Sequence, residues 1–399
     1  MKSIKILSLL ALTIFSTNAL ADYHEDRSDR SHESYSRGTN DGVRSCISNY
    51  KNSSGNYSSG RGDSKDGKDS YYKSTKTQTV QCGDTITSSI TLKNDLYCPD
   101  TTGSALYIIG DNISVNGNGK KIYAPNASSG IFVQGNGNSV SGFQVNGISQ
   151  GYGILAYESS GLTLSLNDFS NNLIGVMLYA DQKSMSKDKV FGNVVRNSTL
   201  FAIRSGSDGA GSIIDPAISW NDFSNSGSYA MQIKASIYNI SDYDYNLLFA
   251  SRNGLYLSGS QINISNFSLT KHNIKETGIF IDSATNVNIS GIDLSSNVTG
   301  DSNQKRMGMD LYRVQNFSIN GLKSNNNDVG LKFETELGTS PHGTVSNCQF
   351  KNAVVSGVMI VSYDATSYGD LLFVNNDYSN TNNPVILGST TLVGSGSVF

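Results

Sequence analysis

The chain has little of what ends strands or announces familiar chemistry. Only five of its 399 residues are proline and one is tryptophan. So few prolines leave long stretches of backbone N–H free to donate to sheet ladders. Cysteine and histidine are also scarce, at four each. Cys46, Cys82, Cys98 and Cys348 fit no zinc-binding spacing. Beyond residue 15 no apolar run is long enough to cross a bilayer, which argues against a membrane span. Basic charge is nowhere concentrated. Lys and Arg number 30 against 33 Asp and Glu, for a net charge of −3, and residues 22–76 hold 10 basic and 9 acidic residues. No basic patch of the kind that tracks nucleic acid is present. Helical periodicity is nearly absent.

What is present begins with an export signal. Lys2 and Lys5 precede an apolar stretch from Ile6 to Phe15, and Ala19-Leu20-Ala21 fits the small-x-small cleavage rule. Residues 1–21 are therefore expected to be a signal peptide, with the mature protein periplasmic or extracellular. Residues 22–79 are rich in Ser, Gly, Asp, Lys, Arg and Tyr and poor in aliphatics. Such a segment cannot bury enough surface to fold alone and is expected to be disordered, with a short helix conceivable near Arg37–Ile47. Its His24, His32 and Arg61-Gly62-Asp63 read as a solvated tail and a chance tripeptide.

From residue 80 one phrase returns: a small residue, then apolar, variable, apolar. It stands at Gly130-Ile131-Phe132-Val133, Gly153-Ile154-Leu155-Ala156, Gly254-Leu255-Tyr256-Leu257 and Gly330-Leu331-Lys332-Phe333, among others, at spacings of 22 to 30 residues. A period in that range means a stacked architecture. Within each repeat three short apolar segments alternate with period two, and asparagine marks a tight corner in the pattern Asn-x-x-x-Asn, as at Asn167/Asn171, Asn193/Asn197, Asn221/Asn225 and Asn376/Asn380. Asparagine tolerates left-handed backbone, and stacked amides can bond up the coil.

The ~25-residue coil, its three strands and the asparagine corner resemble the right-handed parallel β-helix proteins, the pectin-lyase-like superfamily. The segment Gln81-Cys82-Gly83-Asp84-Thr85-Ile86 to Cys98, leading to Asn112-Ile113-Ser114-Val115-Asn116-Gly117-Asn118-Gly119, is similar to the opening of many secreted bacterial members. The expected fold is all-β: about 12 coils over residues 80–399, roughly 55 Å long at ~4.8 Å per coil, capped near residues 80–100 and Leu387–Phe399. The superfamily holds lyases, hydrolases, epimerases, adhesins and binding proteins, so fold alone leaves the reaction open. Cys82 and Cys98 flank the opening segment and are expected to pair; Cys348 is expected as a buried thiol, with the pairing of Cys46 and Cys348 left open by the sequence.

Alternation points the third and fifth residues of the phrase outward. Long insertions at Ala180–Lys189, Gly206–Pro216, Val298–Arg306, Thr335–Gly343 and Ser362–Asp370 are expected to wall a groove there. In the resembled family this strand carries the substrate groove. The charged constellation on it is Asp282, Asp310, Tyr312, Lys332 and Glu334, the catalytic candidates. Arg204, Lys234, Tyr256, Tyr157 and Tyr179 are the candidates for substrate binding, with Phe132, Leu155 and Met177 forming an apolar patch that could stack sugars or lie under the tail. Asp282 and Asp310 would stand roughly 8 Å apart at the backbone, within the ~6.5–9.5 Å carboxyl spacing of inverting glycosidases. Lys332 or Tyr312 would be the base of a lyase or epimerase, with Arg204 or a cation neutralising a sugar carboxylate. The competing reading makes Lys332 one member of an ion-pair ladder. His272 and His342 read as solvated turn residues, and Trp220 as packing. The Gly-His-Gly and Arg-Ile-Lys elements of polygalacturonases, the Asp-Pro-His core of alginate epimerases and a pectate-lyase-type calcium cluster are missing, so no metal ligand is assigned, although a divalent cation such as calcium is compatible. The sequence thus points to a monomer that binds, and cleaves or epimerises, a polysaccharide or cell-surface glycan; the alternative is a non-catalytic carbohydrate-binding, adhesive or structural envelope protein.

Overall fold

The computed structural model describes residues 76–207, 209–241, 246–296, 306–335, 341–362 and 370–389. The leader, the tail to residue 75 with its proposed helix, histidines, tripeptide and Cys46, the insertion 298–305 and the last ten residues lie outside them. The described chain is a parallel β-helix. One parallel sheet of thirteen strands runs its length, from Asp84–Ile86 to Val385–Ser389, so twelve coil-to-coil steps separate its ends. No helix among the described residues is long and apolar enough to cross a membrane.

The recurring small residue has a backbone cause. The chain kinks there, and neighbouring strands pair on either side of it, as Tyr152 with Ile174 and then Ile154 with Val176. At Gly278 a Cβ would stand 2.6 Å from the carbonyl oxygen of Gly308 in the next coil. Side chains at the second and fourth positions, such as Ile154, Ala156, Val176 and Leu178, are fully buried and fill the interior. Each buried aliphatic of the Val, Leu or Ile kind contributes roughly 1.5–3 kcal/mol.

The second face changes partway along the rod. Seven strands from Lys76–Gln78 to Ala217–Ser219 form it in the lower coils, and eight from Met185–Ser186 to Asp370–Val374 in the upper ones. The two sheets overlap where left-handed Lys187 (φ 61°) and Asp215 (φ 42°) bend the chain between them. The third strand of each coil is slighter than the sequence suggests. Leu96–Tyr97, Lys121–Tyr123 and Gln144–Val145 form a short sheet, and above it only single-residue bridges continue, from Asp168 to Val194 to Asp222 to Leu247.

The asparagine corner is a buried amide ladder. Asn167 donates to Asn193 (3.0 Å), Asn193 to Asn221 (2.9 Å) and Asn221 to Asn246 (2.9 Å), Nδ2 to Oδ1 each time. The same oxygens also accept backbone N–H groups. The second asparagine of the motif has the other job: Asn171, Asn197 and Asn225 turn the chain at φ 59°, 54° and 60°. Cys82 and Cys98 form a disulfide with Cα atoms 5.7 Å apart. Cys348 is a buried free thiol; it follows the strand His342–Ser346 and sits in the ladder column, its N–H donating to Asn376 Oδ1 at 2.9 Å.

Candidate functional site

The outer face of the long sheet carries three columns of side chains. The third and fifth positions of the phrase point outward, as alternation requires. A third column, just before the small residue, escaped the sequence because the kink reverses its direction: Tyr152 and Ile174 join Leu155, Tyr157, Met177 and Tyr179 in a hydrophobic cluster separate from the core.

That cluster changes the reading of the lower coils. Tyr157 and Tyr179 are only 8% and 5% exposed, so they are packed residues with little open ring surface for a sugar. Their rings stand 5.7 Å apart. The Tyr157 hydroxyl donates to Asp181 Oδ2 at 3.1 Å; burial and that hydrogen bond push its pKa up. The aromatic line runs Tyr107, Phe132, Tyr157, Tyr179 with centroids 5.7–6.2 Å apart. It stops at a cationic gap, where Arg204 lies over Phe201 (5.4 Å to the ring centroid) and Lys234 is exposed. It resumes as Tyr229, Tyr256, Phe280 and Tyr312, centroids 5.3–6.4 Å apart.

Above the gap lies the charged block. Register pairs Phe280 with Asp310 and Asp310 with Lys332 in one column, and Asp282 with Tyr312 and Tyr312 with Glu334 in the other. The five catalytic candidates therefore do share one face on three successive coils. Lys332 Nζ contacts Glu334 and lies 3.6 Å from Asp310 Oδ2. Asp310 Oδ1 is buried without a hydrogen-bond partner, and burial lifts the carboxyl to about 6 against the pull of Lys332. Asp282 goes the other way. Burial alone would raise it, but Ser283 Oγ (2.6 Å), Tyr256 Oη (2.6 Å) and Arg313 Nη2 (2.8 Å) all donate to it and hold it below the usual carboxylate range. Neighbouring carboxyls whose environments push them apart in this way are suited to divide acid and base roles.

Two contributors were missed. Arg313 sits in the corner after the strand, outside the columns; its guanidinium also covers the Tyr312 ring at 4.4 Å. Tyr229 sits in the kink column, its hydroxyl pushed up by burial and then by the charge of Asp310.

Among the described residues the expected groove is walled only in part. The connections 180–189 and 206–216 flank the lower coils, and those above, at 335–343 and 362–370, lie largely outside the described residues. Between them, from the coil of Lys234 to that of Tyr312, two or three residues link the long sheet to the second face, leaving that edge open. His272 is not a solvated turn residue: its Nδ1 accepts the Leu248 N–H at 3.0 Å, and burial lowers its pKa to about 4. His342 opens a strand and lies 3.2 Å from Asp370. Trp220 is 37% exposed at a left-handed corner (φ 59°), outside the core packing. Among the described residues no group of three or more His, Cys, Asp or Glu is placed to hold a metal ion.

No family model matches the chain, and no curated protein matches it. Among solved structures it is similar to the A-module of the mannuronan C-5 epimerase AlgE4 of Azotobacter vinelandii, at 11% identity over 80% of this chain and 89% of that one, with a TM-score of 0.42. It is also similar to the catalytic domain of a GH87 α-1,3-glucanase in complex with tetrasaccharides (16% identity, 80% and 64% covered, TM-score 0.35). A third is the catalytic unit of the GH87 α-1,3-glucanase of Streptomyces thermodiastaticus (13%, 75% and 63%, TM-score 0.34). At these values the likeness concerns the coiled shape and nothing finer.

Proposed function

We propose that this protein is an exported glycoside hydrolase that binds a polysaccharide along the outer face of its long sheet. The observation that carries the reading is the opposed pair on neighbouring coils: Asp310 raised to about 6, Asp282 held ionised. Aromatic rings from Tyr229 to Tyr312 supply faces on which sugar rings stack. Asp310 donates its proton to the glycosidic oxygen as the bond to the anomeric carbon breaks. The Asp282 carboxylate accepts a proton from water, whose oxygen forms the new bond to that carbon. The diagonal placement of the two strands, ~4.8 Å across and ~6.8 Å along the sheet, suits an inverting reaction. The Lys332 ammonium group is engaged by Asp310 and Glu334, which disfavours its role as a lyase or epimerase base. A disulfide at Cys82–Cys98 suits an oxidising compartment and supports export.

Purified protein is incubated with neutral and uronic polysaccharides, and reducing ends and unsaturated products are assayed. Reducing ends are expected, lost in Asp310→Asn, with the rate falling about tenfold per pH unit above pH 6 as Asp310 ionises. Unsaturated products, or an unchanged Asp310→Asn, would overturn the mechanism. The contact of Lys332 with both Asp310 and Glu334 favours one other reading, glycan binding without turnover; binding with no product across the panel would establish it.

A further inference from the structure

The second face of the upper coils carries no part of the charged block, and five successive strands of it present no charged side chain outward. Its strands Ile237–Ser241, Gln261–Ser265, Asn286–Ser290, Asn316–Asn320 and His342–Ser346 each direct three side chains outward. None of those positions is Asp, Glu, Lys or Arg, in a chain that is 16% charged. Apart from Ile237 and His342, all are Asn, Gln, Ser or Thr. The strands are in register, so these groups form columns ~4.8 Å apart along the rod and ~6.8 Å apart along each strand.

The amides are ordered in one sense. Asn263 Nδ2 donates to Asn239 Oδ1 (2.8 Å) and Asn288 Nδ2 to Asn263 Oδ1 (3.0 Å). Asn347 Nδ2 donates to Asn320 Oδ1 at 2.8 Å. A primary amide has two N–H donors and two acceptor lone pairs, so a ladder bond leaves the other N–H and lone pair for a ligand. Holding the amides in place beforehand lowers the ordering cost of binding.

We infer that this face is a second binding surface, for an uncharged, hydroxyl-rich polysaccharide laid flat across the strands. A sugar hydroxyl both donates and accepts, as these amides and hydroxyls do. A polyanion would find no counter-charge here. A protein partner would ordinarily seek an apolar and aromatic centre, which this face lacks. The surface also meets the long sheet over the open edge, where Ala235–Ser236 and Gly259–Ser260 are the whole connection between strands. A polymer held here would therefore lie beside the charged block. The surface binds whether or not the first face turns substrate over.

Co-sedimentation of the mature full chain with insoluble cellulose, α-1,3-glucan and β-1,3-glucan tests this. Wild type is expected to pellet with at least one of them. The pair Asn239→Asp with Asn288→Asp, two coils apart in the column, keeps side-chain size and adds charge, and is expected to weaken binding at least tenfold with the fold retained by circular dichroism. Gln261→Lys with Asn316→Lys should do the same from the neighbouring column. Tyr256→Ala, on the first face, should still pellet. Sedimentation that survives both charged pairs, or that fails with every polymer, overturns the assignment. So does thermal hysteresis in ice shown by wild type and lost in the charged pairs, which would give the face to a different hydroxyl lattice. Cleavage of soluble substrate reports on Asp310 separately, so either proposal can fail alone.

Discussion

The Tyr256 hydroxyl donates to Asp282 Oδ2 across one coil at 2.6 Å, while Arg313 and Ser283 occupy Oδ1 at 2.8 and 2.6 Å. Each of these donors bonds more strongly to the charged carboxylate than to the neutral acid, so its pKa falls. Tyr256→Phe removes one donor and keeps the ring between Tyr229 and Phe280. The Asp282 carboxyl should then titrate higher, read by NMR of the side-chain carboxyl carbon. Its folded pKa is depressed, so its stabilising effect is present above the ordinary carboxylate value and is lost as pH falls through the folded one. Tyr256→Phe should therefore show a smaller loss of melting temperature on acidification. An unmoved titration would mean that Arg313 and Ser283 alone hold the group.

Asp188 offers a test with the opposite sign. It is 1% exposed; its Oδ1 accepts the Leu162 N–H at 2.9 Å and its Oδ2 is buried without a partner. Burial raises its pKa to about 7. A raised carboxyl favours folding below the unfolded value near 3.8, and that contribution is lost as pH rises from about 4 to about 7. Asn138 stands in the same column two coils below and shows the remedy: its Oδ1 accepts the Ile113 N–H, and its Nδ2 donates to the carbonyls of Gly110 and Gly135. Asp188→Asn should raise stability at pH 8, by about 4 kcal/mol at most at ~1.4 kcal/mol per pKa unit, and change little at pH 3.5. Urea denaturation at the two pH values measures both; equal effects would remove ionisation as the cause.

His272 places a limit on the acid side. Its Nδ1 accepts the Leu248 N–H, so protonation breaks that bond, and burial holds the pKa near 4. The folded state thus resists a proton that the unfolded chain takes up near 6.5. Stability is full above pH 6.5 and declines from there down to about 4, by about 3 kcal/mol. His272→Asn retains a short acceptor without the titration. Its stability profile should be flatter between pH 6.5 and 4, measured by thermal melts across that range. A profile as steep as wild type would place the acid sensitivity elsewhere.

How far the sequence could be read follows from the geometry of single residues. The recurring glycine was legible because each coil repeats the same backbone approach, as at Gly278 against Gly308. Asp282, Asp310, Lys332 and Glu334 could be placed on one face because strands alternate strictly after that glycine. Tyr229 could not, since the kink before the glycine breaks the alternation, and Arg313 could not, since a corner residue reaches Asp282 by folding back rather than by register. Tyr157 and Tyr179 read as open rings because periodicity reports direction and not what else packs on that side.

The amide ladder gives the sharpest test of the stacked fold. Asn193 accepts at Oδ1 from both the backbone N–H and the Nδ2 of Asn167, each at 3.0 Å. It donates to the carbonyls of Leu164 and Phe191 at 3.1 Å and to Asn221 Oδ1 at 2.9 Å. Asn193→Ala strands donors of Asn167 and acceptors on both sides in a buried column, and each unsatisfied group costs about 1–3 kcal/mol. The loss should exceed that of a half-buried surface amide such as Asn263→Ala, which water can replace. In the upper coils the same column holds Ile292 and Leu322, both buried, so an apolar residue is tolerated where its neighbours are apolar. Asn193→Leu alone should therefore be as damaging as Asn193→Ala, while replacing Asn167, Asn193 and Asn221 together by Leu should recover part of the loss despite the larger change. Urea midpoints of the triple variant and of its three single Leu variants decide it: a triple variant weaker than the sum of its singles would show that the ladder is held together by its backbone bonds and not by amide pairing.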